Sequence, residues 1–165
     1  MKTARALSLA LLVSVAPAVA GCSLWTSIVN NPVVAAQTFE AAVQTTLNLA
    51  EDAFNFILPL QPAAQQAQDV ATYQTYVAAA NDLVATLNDA IAVAIQAGNS
   101  DPDLSVMTQA VSDAVTKLVA FVNTLQSQSV ASSSKTAKSP IAFAEMNHAA
   151  ATMLKFRGAA KLRTH

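Results

Sequence analysis

Beyond residue 31, apolar positions recur at steps of three and four. Ala36, Phe39, Val43, Leu47, Ala50, Phe54 and Ile57 form the first such stripe, a spacing that gathers side chains on one face of an α-helix. Asn31-Pro32 supplies an N-cap and a proline at the first helical position. Pro59 and Pro62 end the run, because proline lacks an N–H and clashes with the preceding turn. The pattern predicts a first helix over 32–58. A second begins near Ala63, where Val70, Tyr73, Val77, Ala80, Val84, Leu87, Ile91 and Ala94 make a heptad seam without a miss. Leu83, Ala90 and Ile95 widen that face beyond a two-stranded zipper, and Gly98 is a natural C-terminal stop.

The short link Asn99-Ser100-Asp101 implies an antiparallel neighbour. Asp101-Pro102 repeats the cap-and-proline start, and Asp103 puts a carboxylate where the helix dipole favours one. A third helix then carries Leu104, Met107, Val111, Ala114, Leu118, Phe121 and Leu125, ending near Gln126. Ser127 to Ser139 holds six serines and two lysines and few large apolar residues, which reads as a flexible linker over 128–139. Ser139-Pro140 offers a fourth start. Ala142, Met146, Ala149, Met153, Phe156 and Ala160, beside Phe143 and Leu154, give one more stripe in a basic segment over 140–165. The expected fold is all-α: an antiparallel up-down bundle of three long helices over 32–127, plus a more weakly attached C-terminal basic helix. Truncation after Ser134 is then expected to leave cooperative unfolding largely intact.

Composition agrees with this class. The chain has 165 residues, is 53% hydrophobic and 12% charged, and contains three glycines. Much of the apolar share is alanine, the strongest helix former. The formal net charge of −1 conceals an asymmetry. From Ser23 to Ser134, nine acids face Lys117 alone. From Lys135 onward, six bases face Glu145. An acidic body with a basic tail is the electrostatic picture.

Residues 1–31 are organised differently. Lys2 and Arg5 precede an apolar run, Ala6 to Ala20, interrupted by Ser8, Ser14 and Pro17. That run is shorter than the ~20 apolar residues that span a bilayer, and it has the layout of an export signal peptide. Ala18-Val19-Ala20 fits the small-x-small site of ordinary signal peptidase, whose cut after Ala20 would leave a soluble exported protein. Val19-Ala20-Gly21-Cys22 also resembles the bacterial lipobox, with Cys22 the chain's sole cysteine. The resemblance covers residues 1–22. It implies removal of 1–21, S-diacylglycerol and N-acyl lipid on Cys22, and a lipidated tether over 22–31. Ser23 stands where an Asp commonly retains lipoproteins in the inner membrane, which points to the periplasmic face of the outer membrane. Trp25 suits either the headgroup zone or the end of the helical core.

Candidate chemistry is sparse. A single cysteine excludes a disulfide framework within the chain and a thiolate zinc cluster. Glu145 and His148, three apart, resemble half of a di-iron Glu-x-x-His site, but no other predicted helix supplies a second such motif. Gly21, Gly98 and Gly158 are too scattered for a phosphate-binding loop, and no nucleophile elbow accompanies the serines. No enzymatic role, metal or cofactor beyond the Cys22 lipid is therefore expected, and nucleic acid is a poor partner for an exported chain with no basic-aromatic platform. Two placements compete for the basic helix. It docks on the acidic body, or it lies in a membrane interface. In the second placement Phe143, Met146, Met153 and Phe156 dip in, and Lys155, Arg157, Lys161 and Arg163 meet anionic headgroups. The expected role is presentation of a helical face to an envelope protein or to further copies of the chain. The alternative is a carrier with an apolar small molecule between its helices.

Overall fold

The computed structural model describes residues 31–99, 102–132 and 141–161. Those residues form four α-helices packed against one another: α1 Pro32–Ile57, α2 Ala63–Gln96, α3 Ser105–Ser132 and α4 Ile141–Lys161. A single 3-10 turn, Leu58–Leu60, follows α1.

Local chemistry sets the helix ends. Asn31 is extended, and its Oδ1 accepts from the backbone N–H groups of Val33 at 3.0 Å and Val34 at 3.2 Å. Two otherwise orphaned donors of α1 are thereby satisfied. At the far end Gln61 takes over from the prolines. Its Nε2 donates to the Leu125 carbonyl of α3 at 2.9 Å, in a buried bond that ties the α1–α2 turn to another helix. α2 ends in a Schellman motif, with Asn99 N–H donating to Ala94 O and Gly98 N–H to Ile95 O. Gly98 sits at φ +64°, where a Cβ would be strained.

Two boundaries differ from expectation. α3 starts at Ser105, after Asp101-Pro102, because Asp103 Oδ1 accepts from both the backbone N–H and the hydroxyl of Ser105, at 3.0 and 2.6 Å. That local turn claims Asp103 before the helix begins. α3 then continues to Ser132, so the first residues of the expected 128–139 linker are helical. Ser129 is buried, and its hydroxyl donates to Gln126 O at 2.8 Å, which satisfies it inside the helix.

The interior is one cluster drawn from all four helices, including Phe39 and Val43 of α1, Leu87 of α2, Leu118 and Val122 of α3, and Phe143, Met146 and Met153 of α4. Every residue of the predicted α1 stripe is buried. On α2 the seam is buried from Ala80 to Ala94 and half-covered at Val70, Tyr73 and Val77. α4 packs most extensively on α1, and α2 on α3. The fourth helix is therefore a full member of the core rather than a weakly attached appendage. Near the α1–α2 turn, Phe54 stacks on Tyr73 (centroids 4.0 Å apart, planes 6° apart), and Phe121 lies against both Phe54 and Tyr76. Buried Thr46 is satisfied by its own helix, its hydroxyl donating to Ala42 O at 2.8 Å.

Candidate anchor and interaction surfaces

Cys22, the flanking Val19, Ala20 and Gly21, and Trp25 lie outside the described residues, as does Arg163. Lys161 closes α4. The remaining interface candidates of α4 separate into two groups. Phe143 is 1% exposed, and Met146 and Met153 are both 0% exposed. Their side chains belong to the shared core, so in this packing they are not available to dip into a bilayer. The apolar face that makes α4 amphipathic is spent on its neighbouring helices. Phe156 is half-buried against the same cluster. Lys155 faces solvent.

Arg157 reaches back to α3. One guanidinium nitrogen donates to the hydroxyl of fully buried Ser112 at 3.3 Å and lies 3.8 Å from Asp113 Oδ1. The carboxylate is half-exposed, so the ion pair itself contributes little, within the ~0–1 kcal/mol range of surface pairs. Its value is positional. Together with the reciprocal amide contact of Asn123 and Asn147 at 2.9 Å, it fixes α4 along α3. Between α1 and α2 the corresponding polar clasp is Asn88 Nδ2 donating to Glu40 Oε1 at 2.9 Å.

An open cleft of about 250 Å³ is lined by Ser105, Val106, Thr108, Gln109 and Arg157. It lies at the outer edge of the α3–α4 contact and shares no residue with the buried cluster. One oxygen of Asp69 is covered and makes no hydrogen bond, and burial raises this carboxyl above its ordinary range. Burial, with Glu51 and Asp52 adding their negative field, pushes the Tyr73 hydroxyl up to about 12. The two bonds from Ser105 hold Asp103 below its ordinary value. Glu145 and His148 are both exposed on α4. Among the described residues no three His, Cys, Asp or Glu side chains gather in a way that would hold a metal ion.

Sequence reasoning missed three features. Gln61 looks like an ordinary loop amide, and only its position opposite the Leu125 carbonyl gives it a role. The stacking of Phe54 on Tyr73 depends on how two helices meet. The third feature is the exposure of Val93 (64%), Ile95 (54%) and Val106 (78%). Its sequence signal was that Val93 and Val106 fall off the predicted stripes. α2 is also long and apolar enough, by length and composition alone, to cross a membrane, with mean hydropathy 1.3 over an 18-residue window, 28% of which is buried. In this fold, Ala80, Val84, Leu87, Ile91 and Ala94 use one face of it as a core face.

Compared with protein-family models, curated proteins and solved structures, the chain matches none.

Proposed function

We propose that this chain is a lipid-anchored protein of the bacterial envelope with a non-enzymatic role, holding a helical interaction surface at the membrane. The observation that carries this reading is the sole cysteine, Cys22, in the register Val19-Ala20-Gly21-Cys22 at the end of a charged, then apolar, leader. The resemblance to the lipobox implies lipid on that sulfur and on the freed amine. Two acyl chains already give stable attachment, at ~0.8 kcal/mol per buried methylene. The anchored body is an up-down antiparallel bundle of four helices. Support for the α1–α2 direction comes from Glu40 meeting Asn88 while Phe54 meets Tyr73, since one number rises as the other falls. Asn123 with Asn147, and Ser112 with Arg157, support the same relation for α3 and α4. The partner is a protein of the envelope or another copy of the chain, met through exposed helical faces.

The test is metabolic labelling with a palmitate analogue. Wild-type protein is expected to take up the label and to fractionate with membranes. Cys22→Ser is expected to lose the label and to accumulate as uncleaved precursor. Labelling that persists in Cys22→Ser, or wild-type protein that begins at Gly21 without lipid, would overturn the reading.

A further inference from the structure

We propose that the bundle stands end-on on the bilayer, with Val93, Ile95 and Val106 seated in the lipid interface; the proposal rests on the lipid-anchor reading of Cys22. These three are the most exposed large apolar side chains among the described residues, ahead of Phe56, Leu60 and Leu154. Val93 and Ile95 lie in the last turn of α2, and Val106 lies in the first turn of α3. From Ala90 to Gly98 the chain carries no charge. Three exposed large apolar residues thus fall within the turns at one end of the bundle, Val93 and Ile95 on different sides of α2.

The start of α1 belongs to the same end. Glu40 meets Asn88, and Pro32 lies eight residues before the one as Gln96 lies eight after the other. Both termini are thus about 12 Å along their helices from that contact. The tether from Cys22 to Asn31 is ten residues long and reaches at most ~30 Å when extended. It joins this end and no other. The opposite end, at Leu60, is a further ~39 Å away along α1. Lying flat is disfavoured by charge. The exposed flanks carry Glu51, Asp52, Asp82 and Asp89, which an anionic leaflet repels. At the apolar end Arg157 lines one cleft with Val106, a cation beside an apolar side chain that suits the headgroup–acyl boundary. Two carboxylates oppose it there: Asp113, 3.8 Å from Arg157, and exposed Asp103, which Ser105 holds in a local turn.

Lipidation makes the experiment direct, because a thioether-linked Cys22 leaves the mature protein without a free thiol. Val93→Cys in the full-length lipoprotein therefore offers one site for an environment-sensitive NBD fluorophore, and Phe56→Cys offers one at the opposite end. Both parent residues are exposed, so neither change disturbs the core. In vesicles of phosphatidylethanolamine and phosphatidylglycerol containing brominated lipid, the probe at 93 is expected to shift to the blue. Its quenching should be several-fold stronger than that of the probe at 56. Equal quenching at the two sites, with the protein still floating with the vesicles, would overturn end-on seating and leave the anchor standing. Wild-type protein that reacts with the fluorophore at Cys22 and fails to float would overturn the anchor, and the seating with it.

Discussion

At the scale of single residues, the least comfortable group in the fold is Asp69. Its Oδ2 is covered and unpartnered, and burial disfavours the charged form, so the folded protein holds this proton more tightly than the unfolded chain. The linkage has one sign. Stability from this site is fully present below the ordinary carboxylate value of 3.8 and is lost as pH rises through the raised folded value. Asp69→Asn is therefore expected to melt slightly above wild type at neutral pH, by no more than about 2 °C, and level with it near pH 3. Thermal denaturation by circular dichroism across that range checks it; a variant less stable at pH 7 would mean the carboxylate has a partner. Nothing in the sequence marks Asp69, because its spacing is that of a solvated face. Only the covering of one oxygen by its surroundings sets it apart, and that is a tertiary fact.

Helix by helix, the chain was most legible where pattern and punctuation agree. The α1 stripe read from sequence is buried throughout and the α2 seam from Ala80 to Ala94, because a core lining one side of a rod imposes its 3.6-residue period. Val70, Tyr73 and Val77 are half-covered, and Ile95, expected to widen that face, is exposed. Asn31 performs the capping its type and place imply. Asn31→Ala is expected to cost about 1 kcal/mol, which for a protein of this size lowers the melting temperature by about 2–4 °C. Asn31→Asp should be nearly neutral; an equal loss in both variants would show that the side chain is not acting as a cap. The start of α3 was misread because Asp101-Pro102 and Asp103 carry overlapping signals. Asp101 and Asp103, four and two residues before Ser105, both qualify as caps by type, and only the hydrogen bonds to Ser105 choose between them. The end of α3 was misread for another reason. Serine is a weak helix former, and the run after Gln126 lacks a stripe, yet Ser129 is buried and internally satisfied once its helix is packed.

For the molecule as a whole, the question is whether α4 is an appendage or a wall of the core. Its composition, basic and set behind a serine-rich stretch, favours the first, and its stripe of Met146 and Met153 fits either. Burial decides. Phe143, Met146 and Met153 have almost no exposed surface and meet α1 and α3 in the same cluster as Phe39 and Leu118. Truncating one buried Phe or Met side chain to alanine costs about 2–5 kcal/mol. A domain of this size has only about 5–15 kcal/mol in hand. Removing α4 takes away three such side chains and also uncovers the faces of α1 and α3 beneath them. Truncation after Ser134 is therefore expected to abolish cooperative unfolding, leaving a broad, non-sigmoidal denaturant curve and surface that binds a hydrophobic dye. A sharp transition at near-wild-type denaturant concentration would return α4 to the status of a tail. Met153→Ala separates packing from chain length. It should shift the midpoint downward at an unchanged slope, since it opens a cavity without altering how much surface unfolding exposes. If α4 is a wall, its basic residues are held at a fixed place on the bundle, with Arg157 beside Val106. A membrane contact made there would orient the whole body rather than merely catch a loose end.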